Sequence, residues 1–434
     1  MDTSLLDDLR QLGGVATSAE LQARLGVSQP TVSRALAPLL RAGQVLKVGA
    51  ARAQRYLLPR QIEGVGSDVP LMRVDAQGKA SAFGRMVPLP GGRFWVDEAD
   101  GVSELHDALP WFLQDMRPQG FMGRAFVQAH PELRLPGDLR HWSDDDVLKA
   151  LVQRGDDLPG NLIIGQPAFE RFHSLQQRQS RVTKPERDYP ALAEQAMQGT
   201  LPGSSAGGEQ PKFCTTLNGH AVIVKFSPAG DAPTDQRWRD LLVCEHLALQ
   251  TLAQAGLPAA ETRIVIAQGR VFMEAQRFDR TAQGRIGMVS LLVYDAQYVG
   301  QMDDWAATSQ RMAARRLLTE DDAAHLQLLD AFGALIANTD RHYGNISLLL
   351  EDDDWRLSPT YDMLPMLYAP LNGELVARDF SARPLHPTAH TLAHWPQACE
   401  LAMRFWTSAA QDERISVSFK ETAKKNRDIV SRFL

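Results

Sequence analysis

The chain has 434 residues, a formal net charge of −6 and 44% hydrophobic residues. At about 150 residues per domain, this length predicts roughly three globular domains with apolar cores. The mild acidity argues against a protein that coats nucleic acid or an anionic membrane along its whole length, so any such contact must be local.

The cysteine and hydropathy patterns predict an intracellular protein. The cysteines Cys214, Cys244 and Cys399 are scattered and include no CxxC pair, which argues against a disulfide framework or a zinc cluster. No apolar run approaches the roughly 18 residues of a membrane span, and "MDTSLLDDLRQLGG" carries acids where a signal peptide has basic residues. We therefore expect a soluble cytoplasmic protein that makes no membrane contact.

The first sixty residues carry a local excess of positive charge. Residues 24–60 contain seven basic residues and no acid, although the whole chain is net negative. The stretch "TSAELQARLGVSQPTVSRALAPLL" predicts a capped helix from Ser18, a turn near Gly26 and a second helix opened by Ser28. The following "GQVLKVGAARAQRYLL" predicts a two-stranded wing. Together these elements resemble a winged helix-turn-helix that binds DNA, with a small protein-binding helical module as the alternative.

The same pattern selects the residues that would contact DNA in a domain spanning residues 1–60. Val32, Leu36, Leu39 and Leu40 recur at helical spacing and are expected to be buried. The opposite side of the second helix would enter the major groove, while basic residues near the wing tip would contact phosphates. The predicted DNA-binding residues are Gln29, Thr31, Ser33, Arg34, Arg52 and Arg55. Because such domains often bind paired half-sites as dimers, a homodimer is a further expectation.

Residues 61–185 predict a β element followed by short helices. Short runs broken at Gly78 and at "PGG" indicate antiparallel strands. The stretches "HDALPWFLQDMRPQGFMGRAFVQ" and "WSDDDVLKALVQRGDDLPGNLIIG" predict helices, the second capped at Ser143. Its pair of acids, Asp156 and Asp157, is interpreted as a polar turn in preference to a metal site. The charged stretch "SLQQRQSRVTKPERD" predicts a surface connection.

The stretch "LPGSSAGGEQPKF", residues 201–213, predicts a glycine-rich loop. Such a loop exposes backbone N–H groups that can hold phosphates, although a purely structural turn is the alternative. It is not a Walker loop, because Gly208 is followed by Glu-Gln-Pro-Lys. The next stretch, "CTTLNGHAVIVKFSP", predicts a hairpin that turns at Asn218 and Gly219.

Two further segments supply groups that a nucleotide site needs. Lys225 ends the apolar strand "AVIVKF", where its amine could meet phosphates. Glu245, in the helix "RDLLVCEHLALQTLAQAG", is the predicted partner of that lysine, with a solvent-exposed glutamate as the alternative. The stretch "GRVFMEAQRFDR" predicts a strand and a linker between lobes, where an adenine would bond to the backbone at Gln276 and Phe278.

The strongest signal is "LLDAFGALIANTDRHYGNISLLL". A helix ends in a polar turn that holds Asp340 and Asn345 five residues apart, the spacing of the kinase catalytic loop. There the acid accepts the proton of the substrate hydroxyl and the amide oxygen binds magnesium. Asp362, in "LSPTYDMLP" and predicted at the end of a short strand, would be the second metal ligand.

These motifs resemble the HipA-type serine/threonine kinases, the toxins of bacterial toxin–antitoxin systems. The resemblance rests on "GSSAGGEQPKF", "VIVKFSP", "QRFDR", "NTDRHYGN" and "PTYDMLP", which occur in the family's order, and extends over roughly residues 70 to 430. It implies an α+β, bilobal, protein-kinase-like fold, with residues 61–185 as the HipA N-terminal subdomain. Residues 186–278 would form the N-lobe and residues 279–434 the helical C-lobe. The fused winged helix departs from the usual family member, which relies on a separate antitoxin, and so leaves the partner and the toxic role open.

The resemblance also implies the site. ATP and Mg²⁺ would be the cofactors, Asp340 the base, and Asn345 with Asp362 the metal ligands. Ser205 would be an autophosphorylation site whose phosphate repels ATP from the pocket. Protein substrates in the family include translation components such as aminoacyl-tRNA synthetases. The implied ATP-binding residues are Ser204, Ala206, Gly207, Gly208, Lys212, Lys225, Gln276, Arg277, Phe278, His342, Asn345 and Tyr361.

Two other functions remain open on the sequence alone. The first is a transcriptional regulator whose kinase-like domain is inactive and senses a ligand; repressors related to sugar kinases would need a DxGxT-type motif that is not found after residue 60. The second is metal-dependent phosphodiester cleavage by Asp340, His342 and Asp362. That scheme leaves the Asp-to-Asn spacing and the upstream lysine without a role.

Overall fold

The computed structural model of the chain describes residues 2–50, 53–176, 181–199 and 208–434. The strands of these residues form four separate sheets, which divide the chain into an N-terminal unit, a middle unit, an N-lobe and a C-lobe. This mixed α/β architecture agrees with the α+β class expected from the sequence. No helix in the described ranges is long and apolar enough to cross a bilayer.

The N-terminal unit combines three helices with a small antiparallel sheet. Its elements are α1 (Asp2–Gln11), β1 (Val15–Ala16), α2 (Ser18–Leu25), α3 (Gln29–Arg41), β2 (Leu46–Val48) and β3 (Arg55–Leu57). The strand order is β1-β3-β2. Thr17 and Glu20 form a capping box at the start of α2, and Ser28 precedes α3. Both predicted helix starts, at Ser18 and after Ser28, are confirmed.

The middle unit is a five-stranded antiparallel sheet accompanied by three helices. Its elements are β4 (Val69–Val74), β5 (Ala80–Pro88), β6 (Phe94–Glu98), β7 (Ser103–His106), α4 (Gly120–Ala129), α5 (Asp144–Arg154), β8 (Leu162–Ile164) and α6 (Gln166–Gln176). The strand order is β7-β6-β5-β4-β8. The predicted turns at Gly78 and at residues 90–92 are present, and Ser143 caps α5 as expected.

The structure adds detail to two sequence predictions for this region. The helical stretch predicted before Ser143 contains a 3-10 helix over Trp111–Met116 and then α4. Pro118 separates them, because a residue before proline avoids the helical conformation, and Arg117 has ψ 128°. The stretch predicted as a surface connection contains the end of α6 and the start of the next helix at Pro185.

The N-terminal unit packs directly on the middle unit. Arg60 forms a bidentate salt bridge with Asp145, one arm of which measures 2.8 Å. Arg93 also donates to the carbonyl of Leu12 at 3.1 Å. Beneath these contacts, an apolar cluster joins the two units and contains Val48, Leu57, Val87, Leu89 and Trp95. Because the two units share a core, the N-terminal unit is not a module on a free tether.

The N-lobe is a five-stranded sheet with two helices. Its elements are β9 (Arg181–Val182), α7 (Pro185–Met197), β10 (Lys212–Leu217), β11 (His220–Phe226), α8 (Pro233–Gln254), β12 (Thr262–Ala267) and β13 (Arg270–Gln276). The order is β12-β13-β11-β10-β9, and only the β9–β10 pair is parallel. Asn218 at φ 51° and Gly219 at φ 86° confirm the predicted hairpin. The sheet begins with β9, upstream of the boundary expected at residue 186.

The C-lobe is mostly helical. Its elements are β14 (Met288–Ser290), α9 (Leu291–Tyr298), α10 (Trp305–Ala314), α11 (Glu320–Leu335), β15 (Ser347–Glu351), β16 (Asp354–Leu357), α12 (Trp395–Gln411) and α13 (Val417–Val430). Phe332 of α11 packs edge-on against Phe405 of α12, and both rings are fully buried. The indole N–H of Trp406 donates to the carbonyl of Leu335 at 3.0 Å, which ties α12 to the end of α11. This buried contact fixes the point where the polar turn after α11 begins.

Candidate active site between the lobes

A cavity of about 710 Å³ lies between the two lobes, within the usual size range of small-molecule sites. Its walls come from β10, β11 and α8, from the segment after β13, and from the turn after α11. The predicted residues that line this interlobe cavity are Gly208, Lys212, Lys225, Glu245, Gln276, Arg277, Phe278, Asp340, His342, Asn345, Tyr361 and Asp362. Ser204, Ser205, Ala206 and Gly207 lie outside the described residues.

Lys225 is held by one acid from each lobe. Its Nζ donates to Glu245 Oε1 at 2.6 Å and to Asp362 Oδ1. Burial disfavours the ammonium ion, but the two carboxylates outweigh that effect and raise the pKa of Lys225 above its ordinary value. The amine is therefore charged at neutral pH, and the ion pair expected with Glu245 is present.

Glu245 is a buried acid on α8, not a solvent-exposed helix glutamate. Its side chain is 1% exposed, and burial raises its pKa against the opposing pull of Lys225. Glu245 Oε2 has no hydrogen-bond partner within the described part of the chain. An unpaired buried oxygen is costly, and a bound group or water in the cavity would satisfy it.

A second lysine lies beside Lys225. Lys212 is the direct cross-strand partner of Lys225 in the β10–β11 pair and is also buried. Burial lowers the pKa of Lys212, while Asp362 opposes that shift. Two amines thus face one side of the cavity, where the low dielectric strengthens their attraction for an anion.

Asp340 and Asn345 lie in the turn after α11. The Nδ2 of Asn345 donates to the Asp340 carbonyl at 2.9 Å, and the Asp340 N–H donates to Asn338 Oδ1 at 3.0 Å. The turn is anchored by Arg341, whose Nε donates to Asp330 of α11 at 2.9 Å. These bonds fix the backbone, whereas the Asp340 side chain stays 50% exposed. Its carboxylate is therefore accessible from the cavity.

Asp362 lines the same cavity. It does not end a strand as predicted, because β16 stops at Leu357 and Asp362 lies two residues after Thr360, which bridges to Ala259. Its φ is 53°, a left-handed conformation that aspartate tolerates better than most residues. Burial alone would raise the pKa of Asp362, but Lys225 and Lys212 outweigh it and lower the pKa. The side chain is an anion, 26% exposed.

The donor set suits a magnesium ion. Asn345 and Asp362 line one cavity and offer an amide oxygen and a carboxylate, the hard oxygen ligands that Mg²⁺ prefers. No group of three or more His, Cys, Asp or Glu side chains in the described ranges could hold a metal by itself. Mg²⁺ usually takes only one or two protein ligands, together with water and substrate phosphates. The residues present therefore fit that ion.

The segment after β13 offers fewer backbone groups than expected. The Gln276 N–H donates to Glu261 at 3.0 Å, and the Arg277 N–H donates to Ala221 at 2.9 Å. The Arg277 guanidinium is also engaged, with Asp157 and Asp279. We therefore do not expect the Arg277 side chain to contact a nucleotide, although the residue lines the cavity.

Aromatic side chains cover part of the same wall. The ring centroids of Phe278 and Tyr361 lie 5.6 Å apart. The Tyr361 hydroxyl is 2.8 Å from Ser347 Oγ. Burial raises the pKa of Tyr361, so the phenol stays neutral. His342 also lines the cavity; it is mostly exposed and accepts the Gly344 N–H through Nδ1 at 3.0 Å.

The sequence interpretation missed the contribution of the middle unit. Asp115, Gln119, Gly120 and Pro159 line the cavity. Asp157, interpreted as part of a polar turn, does lie in a turn but pairs with both Arg277 and Arg280 at 2.9 Å. The only available signal was the opposite charge of "RGDDLPGN" and "QRFDR", which does not by itself identify partners.

The predicted DNA-binding residues differ in their exposure to solvent. Gln29, Ser33 and Arg34 are exposed on α3, whereas Thr31 is half-buried with its hydroxyl 3.1 Å from Ser28 Oγ. Arg55 is half-buried at the start of β3. Arg52 lies outside the described residues. The exposed side of α3 is thus the side that the sequence assigns to the major groove.

Comparison with known proteins gives two family matches. Residues 204–429 match the model of the HipA-like C-terminal domain, and residues 65–173 match the YjjJ-like toxin middle domain. The chain is also 37% identical over 423 residues to toxin YjjJ of Escherichia coli strain K12, which covers 95% of this chain and 94% of that protein.

Solved structures show more distant likenesses. HipA in a complex with HipB and operator DNA from Shewanella oneidensis MR-1 has 14% sequence identity and a TM-score of 0.49, covering 83% of this chain and 96% of that one. The proinflammatory kinase CtkA of Helicobacter pylori has 16% identity and a TM-score of 0.36, covering 52% of this chain and 88% of that one.

Proposed function

The chain belongs to the HipA-like toxin family, and on that premise we propose that it is an ATP- and Mg²⁺-dependent serine/threonine kinase. The observation that carries the proposal is the contact of Lys225 with Glu245 and Asp362 in the cavity that Asp340 and Asn345 also line. A kinase needs an amine for the phosphates, a base for the acceptor hydroxyl and oxygen ligands for a metal. Distant segments of this chain supply all three in one cavity.

Asp340 is the proposed base. Its backbone is fixed by Asn338 and Asn345 while its carboxylate stays half exposed, so an acceptor hydroxyl can approach it. As the γ-phosphoryl group of ATP transfers to that oxygen, its bond to the β–γ bridging oxygen would break to release ADP, and the hydroxyl proton would pass to the Asp340 carboxylate. His342 Nε2 lies 3.9 Å from Asp340 Oδ1 and would help to orient it.

Lys225 and Lys212 would bind the phosphates. Both amines are buried beside one another, so a triphosphate would gain two charge-assisted contacts where water is excluded. Asn345 and Asp362 would hold Mg²⁺, which when bound neutralises charge on the β- and γ-phosphates. Glu245 would keep Lys225 oriented when Asp362 turns toward the metal.

The adenine would lie near Phe278. The N–H groups of Gln276 and Arg277 are engaged, which leaves the Gln276 carbonyl and the Phe278 N–H as the backbone groups of this segment for an adenine edge. The Phe278 and Tyr361 rings would limit how far the adenine ring enters the cavity. This contact set keeps the two residues expected from the sequence, Gln276 and Phe278.

We extend the proposal to Ser205 and to DNA. Ser205 belongs to the glycine stretch that ends at Gly208, beside Lys212, so a phosphate on Ser205 would compete with ATP phosphates for the same amines. The helices, hairpin and exposed α3 side of the N-terminal unit support a winged helix-turn-helix that binds DNA in cis. Its shared core with the middle unit would hold that DNA at a fixed orientation to the kinase.

Mass spectrometry of the purified protein after incubation with Mg-ATP tests the proposal. We expect phosphorylation of Ser205 or of an added protein by the wild-type chain and none by Asp340→Ala. The alternative is a regulator with an inactive kinase-like domain. It would be supported if the wild-type chain transfers no phosphate and Asp340→Ala leaves operator binding unchanged.

A further inference from the structure

The middle unit is fixed to the segment that joins the lobes by buried charges. Asp279 accepts from Arg277 Nε at 3.0 Å, from Arg280 Nη1 at 2.7 Å and from the Gly160 N–H at 3.0 Å. Asp157 of the middle unit accepts from both arginines. Sliding the middle unit along this segment would leave buried charges unpaired. It therefore behaves as one body with the interlobe segment.

From this base, the first turn of α4 reaches the N-lobe. The Phe121 N–H donates to the Gly208 carbonyl at 3.1 Å. The Phe121 ring packs edge-on against Phe226, the residue after Lys225, at 6.3 Å between centroids. Arg124 pairs with Glu209 at 2.7 Å. One helical turn thus contacts both the residue that ends the glycine stretch and the strand that carries Lys225.

The contact leaves no room for a side chain at Gly120. Its φ is 59°, and a Cβ built there would lie 2.3 Å from the Gly208 carbonyl oxygen and 2.8 Å from the Gly208 carbonyl carbon. These are backbone atoms, so they cannot rotate away as a side chain would. On the other side, a Cβ at Gly208 would lie 2.9 Å from Lys212 Nζ. Gly208 is therefore enclosed between α4 and the Lys212 amine.

We propose that Gly120 and Phe121 are positioning residues for the nucleotide, because they fix Gly208 against Lys212 and so define the phosphate end of the interlobe cavity. This inference rests on the proposed kinase function. It assigns to the middle unit a part in binding ATP that acts through the N-lobe residues. A change at Gly120 should displace Gly208 and weaken ATP binding, while Asp340 in the other lobe keeps its geometry.

Binding of a fluorescent ATP analogue with Mg²⁺ to the full chain tests the inference, with Gly120→Ala as the variant. We expect its Kd to rise roughly ten- to a hundredfold, the effect of losing one charge-assisted contact to the phosphates. The kcat at saturating Mg-ATP should stay within about twofold, as for a change in binding alone. Gly137→Ala is the control, because no heavy atom lies within 4 Å of its built Cβ and its φ is ordinary.

The outcomes separate this inference from the function on which it rests. A wild-type chain that does not bind the analogue overturns the proposed kinase and the inference with it. A wild-type chain that binds, beside a folded Gly120→Ala with the same Kd, overturns the inference alone. If Gly120→Ala does not fold, Phe121→Leu decides: a raised Kd with a wild-type melting curve supports the inference, and an unchanged Kd contradicts it.

Discussion

Lys225 of the N-lobe and Asp362 of the C-lobe form an ion pair although 137 residues separate them in the chain. The same amine also donates to Glu245 of the N-lobe, so one ammonium group joins an acid from each lobe at the interlobe cavity. Asp362 is also the proposed metal ligand. A bound Mg²⁺ and the amine would therefore compete for one carboxylate, and the next prediction depends on that competition.

Asp362→Asn should weaken the coupling between ATP binding and magnesium. Loss of the carboxylate removes a metal ligand, whose contribution to the transition state is several kcal/mol, so we expect the rate of phosphate transfer to fall by at least about 100-fold. ATP affinity should then depend much less on Mg²⁺ than in the wild-type chain, because Asn345 alone remains of the two proposed metal ligands. Asp379→Asn, an exposed acid in the same region of the C-lobe, serves as the control. An Asp362→Asn variant that keeps its magnesium dependence would contradict the assignment.

Arg341→Lys should slow transfer without weakening ATP binding. Arg341 joins Asp330 to the Asn338 carbonyl, and lysine keeps the charge but cannot bridge both. We expect kcat to fall roughly tenfold or more through misplacement of Asp340, with Kd for Mg-ATP unchanged. Steady-state kinetics and direct binding measurements together check this split. A parallel loss of ATP affinity would show that Arg341 supports the whole cavity instead.

Asp279→Ala should destabilise the fold strongly. Asp279 is 5% exposed and lies between two arginines, so its loss leaves buried cations unpaired at a cost of about 3–5 kcal/mol. Urea denaturation measures the change in the free energy of unfolding. Asp7→Ala removes an exposed partner of Arg10 in the interior of α1 and should change stability by less than about 0.5 kcal/mol. Equal effects of the two changes would contradict the structural role given to the cluster.

His246 should make stability fall on acidification. Burial lowers the pKa of its imidazole to about 4, and its Nδ1 lies 2.8 Å from the Thr262 hydroxyl. Because the folded pKa is below the unfolded value, the unfolded chain takes up the proton first as pH falls from 6.5 to 4, and stability is lost over that window. We expect a loss of roughly 1–2 kcal/mol, allowing for solvent screening. His246→Gln should flatten this part of the pH profile measured by urea denaturation; an unchanged slope would exclude His246 as its source.

Arg34→Ala should weaken DNA binding. Arg34 is exposed on α3, and a base-contacting arginine contributes about 1–3 kcal/mol with some relaxation of sequence preference. Fluorescence anisotropy with DNA selected by the wild-type chain from a random library gives the affinity. Arg140→Ala, an exposed arginine of the middle unit, is the control. Identical binding by Arg34→Ala would remove α3 as the recognition helix.

The local elements of the site could be predicted because short stretches encode them. The Asp340–Asn345 turn follows a helix whose apolar residues Leu328, Leu329, Phe332 and Leu335 are all buried. The Asn218–Gly219 turn requires a positive φ, which this residue pair favours. The Lys225–Asp362 pair and the Asp157–Arg277 pair could not be derived in this way. They depend on how separate units pack, and no local sequence pattern indicates which of the many charged residues will form ion pairs. For the same reason the wall formed by Asp115 and Gly120 was missed.

The most direct test of the proposed ATP site is calorimetric titration of ATP into the wild-type chain and into Lys225→Met, with and without Mg²⁺. We expect saturable binding by the wild-type chain, tighter with magnesium, and loss of that binding in a Lys225→Met variant that still melts cooperatively. Absence of binding to the wild-type chain, or equal binding by the folded variant, would contradict the proposed site.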